Sequence, residues 1–400
     1  MLIQGTTQSE FLSGGAGNDT LAGAGGSDTI DGGAGRDTVS FEGRPYDDPA
    51  GYLSVDLETG AATYYKLSGS SYVVRDTTQI ARVENVTGSA EDDGIIGDSD
   101  DNVIAGGSGD DGLDGRGGND TLLGGEGRDY FVAGPGDDVI DGGAGFDTVD
   151  FSSFSTADQS GRVVVDLSVG RAWADGSTDT IISAEYIFGT TGGDWLQGDA
   201  SYNLISAGLG NDVVFGYGTT GDMVFGDDGD DAIYGSAGND TISGGDGIDW
   251  IEAGDGDDLI SEGGFTAGEW SAVFGGAGND TIAGVGMGAM GMWGGEGNDR
   301  FEIWAAGTEY IRGGTGADTT VLLNGFLWMD QGLVQIFDFE VGKDVVQSSI
   351  TNREHLVVEV QDWGGNTGIL FHDGLSGYTG TVMLMGIEAS SLDPGDLILQ

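Results

Sequence analysis

An aspartate returns every nine residues through much of this chain, each time behind a glycine-rich turn. Five copies run without a break from position 106 to 150: GGSGDDGLD, GRGGNDTLL, GGEGRDYFV, AGPGDDVID and GGAGFDTVD. The frame is Gly-Gly-x-Gly-x-Asp, then any residue, a large apolar one, and any residue. A fixed period of this kind dictates architecture before any local propensity does. Glycines at positions one, two and four let the backbone turn tightly and leave carbonyl oxygens exposed. The aspartate at position six adds a hard anionic oxygen. Carbonyls and carboxylates, in a chain with no Cys and only two His, suit Ca²⁺ and not Zn²⁺ or copper. The aspartates that fall on this frame are Asp19, Asp28, Asp37, Asp111, Asp120, Asp129, Asp138, Asp147, Asp212, Asp231, Asp240, Asp249, Asp258, Asp280, Asp299 and Asp318.

The elements that must hold them follow from the other three positions. Each unit ends in a short strand whose middle residue (Leu113, Leu122, Phe131, Ile140, Val149) points inward while its neighbours point outward. Two units make one coil of a flattened helix, so loops two units apart stack along one edge, with strands about 4.8 Å apart. A cation between stacked loops can take oxygens from both. The fold class expected is all-β, a parallel β-roll.

These units resemble the RTX (hemolysin-type) calcium-binding repeats of proteins that bacteria export by type I secretion. The resemblance covers most of residues 5–321. It implies that each ion takes the carbonyls of positions two and four and the Asp of one loop, with the carbonyls of positions one and three and the Asp of the loop two units on. One implied set is Gly107, Gly109 and Asp111 with Gly124, Glu126 and Asp129. Another is Arg116, Gly118 and Asp120 with Ala133, Pro135 and Asp138. Near the C-terminus, IFDFEVGKDVV at 336–346 resembles the I-x-D-F-x-x-G-x-D-x-I signature that often follows these repeats. The resemblance there implies a β-rich cap carrying an uncleaved secretion signal. The partners it implies are calcium ions and a type I exporter, and the location extracellular.

Composition bounds the alternatives. The chain has 400 residues, 81 of them Gly and 4 Pro, with a formal charge of −55 from 68 acidic against 13 basic residues. Phosphate contacts need Lys and Arg, so nucleic acid is not an expected partner, nor is bare anionic lipid. Self-repulsion of this size opposes compaction unless cations neutralise it. A disordered acidic tail is the plain alternative, but a strict apolar period is not what disorder shows. The start, MLIQGTTQSEF, has neither the basic region nor the apolar core of a Sec signal peptide. No stretch approaches about 18 uninterrupted apolar residues, so no transmembrane segment is expected.

Along the chain, residues 1–40 read as a first repeat array and 41–87 as a β-hairpin insert rich in Tyr and Val. Residues 88–150 form a second array, opened by the weaker units GSAEDDGII and GDSDDNVIA, and 151–188 a second hairpin insert. The second insert repeats the first: VDLETGAA at 55–62 matches VDLSVGRA at 165–172, and the stretch from Val83 matches that from Ala184. Residues 189–321 form a third array whose frame breaks at 262–274 and 284–293. Residues 322–400, with strand-like runs between turn residues, form the cap.

Other chemistries find little footing. There is no HExxH and no G-x-S-x-G, and His355 and His372 have no partner motif, so no catalytic residue is assigned. Carboxylate pairs abound, but glycosidase chemistry needs one with a raised pKa in a cleft; repeat aspartates are explained better as ligands. The methionines of GVGMGAMGMW at 284–293 read as filling irregular space in a degenerate coil. The insert aromatics Tyr64, Tyr65, Tyr72, Phe151, Phe154 and Trp173 read as sealing the roll edge, with a carbohydrate groove as the alternative. The function expected is a secreted calcium-binding protein whose folding is gated by extracellular Ca²⁺. The alternatives are the calcium-binding part of a polysaccharide-acting enzyme, or a structural or adhesive surface protein that contacts glycan or a cell surface.

Overall fold

The computed structural model describes residues 1–43, 51–154, 162–174, 176–263, 270–284, 288–304, 307–323, 332–348, 356–373, 379–393 and 395–399. The chain divides into two compact units, Met1–Thr191 and Gly192–Gln400, and both are parallel β-rolls.

In the first unit successive strands alternate between two sheets, and each strand pairs in parallel with the one a full coil later. Ile104 sits opposite Leu122 and Leu122 opposite Ile140 in one sheet; Leu113 sits opposite Phe131 and Phe131 opposite Val149 in the other. The strands are three to six residues long here, and only the central apolar residue of each nonapeptide enters the core. Leu21, Ile30, Val39, Ile104, Phe131, Ile140 and Val149 are fully enclosed. Burying one such side chain contributes about 1.5–3 kcal/mol. The roll therefore has one apolar column per sheet and must recruit other forces along its edges.

Each insert is a three-stranded antiparallel meander, one strand more than a hairpin. The first comprises Tyr52–Asp56, Ala61–Ser68 and Ser71–Ala81. Its last strand docks in parallel on Thr29–Asp31, and its first strand pairs in parallel with Asp93–Ile96. The second comprises Val163–Asp166, Arg171–Ala174 and Ser177–Ile182. It docks on the strand Val139–Ala144, which belongs to the other sheet. The two meanders thus lie in opposite sheets of the same roll. Their first turns are the same device: Gly60 and Gly170 adopt φ of 67° and 65°. Each donates its N–H to the carbonyl three residues back, Leu57 and Leu167 at 3.2 and 3.1 Å, and accepts from Ile80 and Ile181.

In the second unit the sheets run without interruption. Where the sequence frame breaks, the coil lengthens instead of ending. Ile251 pairs with Val273 across 22 residues and Val273 with Met292 across 19. The longer strands Trp270–Ala277 and Ala289–Glu296 absorb the change, and Met290 and Met292 are fully buried, filling the widened core. The C-terminal region continues both sheets. Gly332–Ile336 stacks on Thr308–Thr315 and then pairs in parallel with Thr379–Leu384; Val345–Ser348 stacks on Thr319–Leu322 and then on Leu397–Leu399. An antiparallel hairpin, Leu356–Asp362 with Thr367–Asp373, is added at the side. His355 and the side chain of His372 lie outside the described residues.

Candidate metal centre

Stacking places the position-six aspartates in columns along the edges of each roll. Their burial is unusual for a charged residue: every aspartate that falls on the repeat frame is buried, from Asp19 to Asp318. Within a column each aspartate donates its backbone N–H to Oδ1 of the aspartate one coil on. In the first unit Asp93 donates to Asp111 at 2.8 Å, Asp111 to Asp129 at 3.0 Å and Asp129 to Asp147 at 2.8 Å. On the opposite edge Asn102 donates to Asp120 at 2.7 Å, Asp120 to Asp138 at 2.8 Å and Asp138 to Asp179 at 3.1 Å. In the first coils Glu10 donates to Asp28 and Asp19 to Asp37. In the second unit Asp194, Asp212, Asp231 and Asp249 form one column. Asn203, Asp222, Asp240, Asp258, Asp280, Asp299, Asp318 and Asp344 form the other.

This hydrogen bond fixes one oxygen of each carboxylate and aims the other into the seam between loops. That second oxygen, Oδ2, is buried and has no hydrogen-bond partner among the described residues at Asp37, Asp111, Asp120, Asp129, Asp147, Asp179, Asp212, Asp231, Asp249, Asp258, Asp280 and Asp299. A buried charge without a partner is severely destabilising. Unless a cation neutralises them, the carboxyls therefore resist ionisation. Burial, then like-charged neighbours in the column, pushes Asp111 and Asp231 up to about 8. The same causes bring Asp120, Asp258 and Asp299 to about 7. Other loops differ: Ser89 and Ser236 stand where the frame has its second glycine, and their N–H groups reach Oδ2 of Asp93 and Asp240, as those of Gly15, Tyr217 and Glu340 reach Oδ2 of Asp19, Asp222 and Asp344.

The glycines bring carbonyl oxygens to the same seam. Gly127 has φ of 133°, and a Cβ built on it would lie 1.9 Å from the carbonyl oxygen of Gly109 one coil back; no side chain fits that approach. The carbonyl of Gly107 lies likewise against Gly125, that of Gly118 against Gly136 and that of Arg116 against Gly134. From the following loop, the Glu126 carbonyl accepts from Gly109 N at 2.9 Å and the Pro135 carbonyl from Gly118 N at 3.2 Å, leaving each a second lone pair. Gly124 packs its Cα against Asp129 Oδ2. Of the residues named from the sequence, Gly107, Gly109 and Asp111 thus stack on the loop of Gly124, Glu126 and Asp129, and Arg116, Gly118 and Asp120 on that of Pro135 and Asp138. Among the described residues no three carboxylate or imidazole side chains converge on one point, and a seam with two carboxylates and several carbonyls does not require it. Such hard, flexible, all-oxygen surroundings fit Ca²⁺ better than the tighter octahedral demands of Mg²⁺.

Several participants escape the repeat frame. Glu84 and Glu185, the first residues after each meander to rejoin the column, accept the N–H of Asp37 and Asp147 through Oε2 at 2.7 and 2.9 Å. Both follow a residue with positive φ two positions earlier, Arg82 and Ser183, so the duplicated sequence repeats this junction atom for atom. The matched stretches from Val83 and Ala184 contained the signal, but both read Glu where the repeat frame reads Asp. Asp344 and Asp338 belong to the 336–346 signature. Asp344 takes the N–H of Asp318, while Asp338 takes those of Gly313 and Gly314 at 3.0 and 3.1 Å. Of the insert aromatics, Tyr64, Phe151 and Phe154 are buried and Tyr65 stacks on Tyr52 at 4.6 Å; Tyr72 and Trp173 are exposed.

A parallel β-roll whose edges carry stacked glycine loops and columns of inward carboxylates is a calcium-binding roll. The family model for the RTX calcium-binding nonapeptide repeat matches residues 4–39, 82–113, 114–149, 188–220, 217–251, 225–260 and 272–285, so these segments are RTX repeats, which bind multiple Ca²⁺ ions. Among solved structures, the chain is similar to the extracellular lipase LipA from Serratia marcescens, at 14% identity and a TM-score of 0.22, over 94% of this chain and 45% of that one. It is also similar to the AlgE6R3 subunit of the Azotobacter vinelandii mannuronan C5-epimerase, at 18% identity and a TM-score of 0.15, over 52% of this chain and 80% of that one. The chain thus spans under half the length of the lipase. No curated protein matches it. Among the described residues no helix is long and apolar enough to cross a membrane.

Proposed function

We propose that this chain is a secreted protein that passes a type I exporter unfolded and folds outside the cell when calcium reaches its aspartate columns. The observation that supports this most is the unpartnered buried oxygen repeated in nearly every coil. Where calcium is scarce, Asp111, Asp120, Asp129 and their equivalents stay ionised and in water, and a chain of charge −55 remains extended. Calcium, when bound, supplies the positive charge that lets these carboxylates be buried. The ligands proposed for one seam are Asp111 and Asp129 with the carbonyls of Gly107, Gly109, Gly124 and Glu126; for another, Asp120 and Asp138 with those of Arg116, Gly118, Ala133 and Pro135. Extracellular modules bind with Kd of about 10⁻⁴–10⁻³ M, a range that leaves such sites empty in cytosol and filled outside. Export is tested by expressing the full chain and residues 1–321 beside a type I exporter of an RTX protein. The full chain is expected in the medium and the shortened one in the cells; equal export of both would remove the C-terminal region as the signal.

A second reading, contact with a polysaccharide, is favoured by one surface of the second unit. Trp195, Phe215 and Tyr234 form a ladder of rings with centroids 5.5 and 4.9 Å apart, and Trp250, Phe274 and Trp293 another at 4.9 and 4.5 Å. The second ladder borders a cleft of about 370 Å³ lined by Trp270, Trp293, Tyr310, Arg312 and Phe337. Flat rings at strand spacing can stack on successive sugar rings, and Arg312, in a chain so poor in cations, selects an acidic sugar. In a glycan panel run on the calcium-loaded protein, Trp293→Ala is expected to weaken retention of uronate polymers at least tenfold. Unchanged retention, or none by either protein, would set this reading aside.

A further inference from the structure

One column of the second unit stops short. Asp194, Asp212, Asp231 and Asp249 follow one another, but the N–H of Asp249 meets Ser271 Oγ, at 3.2 Å, where the next aspartate belongs. The residues that continue this line in register are Met290, Glu309 and Val334. The repeat pattern therefore assigns no cation beyond Asp249 on this edge. Yet a carboxylate is present there. Glu262, at the end of the strand Leu259–Gly263, is completely buried; its carboxyl faces the Ser271 hydroxyl and the carboxyl of Asp249, and neither of its oxygens is satisfied by a well-formed hydrogen bond. It stands where a regular unit has its first glycine, between the matched repeat segments 225–260 and 272–285.

The side chain of Glu262 is aimed into the loop at 244–249. A Cβ built on Gly244 would lie 2.0 Å from Glu262 Oε2 and 2.4 Å from Asp249 Oδ2. At the equivalent glycine of a regular coil, Gly124, the same construction meets Asp129 Oδ2 at 2.1 Å and then a backbone carbonyl, that of Gly142, at 2.6 Å. Glu262 thus places a second carboxylate where other coils have a carbonyl. No ion pair among the described residues involves either group. Two carboxylates converging in a buried space need either a shared proton or a cation.

We propose that Asp249 and Glu262 form a calcium site outside the repeat frame, in which Glu262 supplies the carboxylate that Ser271 lacks. This rests on reading the aspartate columns as calcium sites. The extra methylenes of Glu let the charge reach the seam from position one of the loop. The lengthened coil, 22 residues from Asp258 to Asp280 on the opposite edge, carries its own position-six residue as Ser271. Glu309 is the internal contrast. It is equally buried and unpartnered among the described residues, but it sits in line with Met290 and Val334, no second carboxylate acts on it among the described residues, and burial alone pushes its pKa up to about 8.

The test counts calcium bound at saturation, by equilibrium dialysis and atomic emission, on the full chain and its variants. Glu262→Gln is expected to bind one ion fewer than wild type, and Glu309→Gln the same number. The double variant Glu262→Gly with Ser271→Asp, which rebuilds the regular repeat arrangement, is expected to recover the missing ion. An unchanged count in Glu262→Gln would overturn the proposal and assign a shared proton to the pair. If Glu262→Gln does not fold, the double variant decides: a count equal to wild type supports the site, and one ion more than wild type, an added site in a seam that wild type fills with a shared proton, overturns it. A wild-type chain that binds no calcium would instead sink the reading of the columns as a whole, and this site with it.

Discussion

In excess chelator at neutral pH the chain is expected to lose most of its β-sheet circular dichroism and to expand, and millimolar Ca²⁺ is expected to restore both in one cooperative transition. The cause is local and repeated. At least a dozen buried carboxylates have one oxygen fixed by the previous coil and the other facing its neighbours without a counterion, and each left ionised and unpaired costs several kcal/mol. The apolar core, one residue deep in each sheet, is too thin to offset them. Because every column member receives its hydrogen bond from the adjacent coil, coils form together or not at all, as in other solenoids with strong nearest-neighbour terms. Mg²⁺ at the same concentration should do little, since it keeps its waters and demands tight octahedral geometry. A full β spectrum in chelator, by circular dichroism and small-angle scattering, would contradict this account.

Protons should partly replace calcium. The column carboxyls have folded-state pKa values raised above the ordinary aspartate value of 3.8, to about 6 at Asp129, about 7 at Asp120 and about 8 at Asp111. A raised acid binds its proton more tightly folded than unfolded. Its contribution is therefore fully present below pH 4 and is lost as pH climbs through 6 to 8. Without calcium, then, the roll should be most stable near pH 4–5 and weakest above pH 8. With calcium the order reverses, since the ion must displace those protons. The measurement is a pair of thermal unfolding series across pH 4–9, in chelator and in excess Ca²⁺. Parallel slopes in the two series would show that the columns do not control stability.

Much of this architecture could be read from the residues. The nine-residue period, the glycine positions and the inward apolar column at Leu113, Leu122 and Phe131 determine the roll because each follows from local backbone chemistry. What could not be read depends on stacking partners far apart in sequence. That Glu84 and Glu185 join the columns is decided by where the meanders return, 47 and 38 residues after Asp37 and Asp147, and a longer side chain at the right height serves as well as aspartate. Asp222 was obscured by one extra residue in its loop, which leaves a spacing of 19 to Asn203. The frame breaks near Ser271 and Met290 do not interrupt the sheets, because strand pairing tolerates a wider coil when apolar residues such as Met290 and Met292 fill it. The third strand of each meander was hidden for a different reason: alternating polar and apolar residues mark a strand but not its partner.

The opposite placement of the two meanders reduces to parity. A nonapeptide is half a turn, so every added unit carries the growing end from one sheet to the other, and the duplicated module spans an odd number of half-turns. Its second copy therefore emerges on the far face, although its junction chemistry at Glu185 is the same as at Glu84. In such a chain the count of repeats acts as an address. Gaining or losing a single nonapeptide between residues 88 and 150 would leave every seam of the same kind yet swing the second meander round to share a face with the first. Repeat number, which drifts easily by slippage, thus sets which sides of the roll are decorated without altering any ligand.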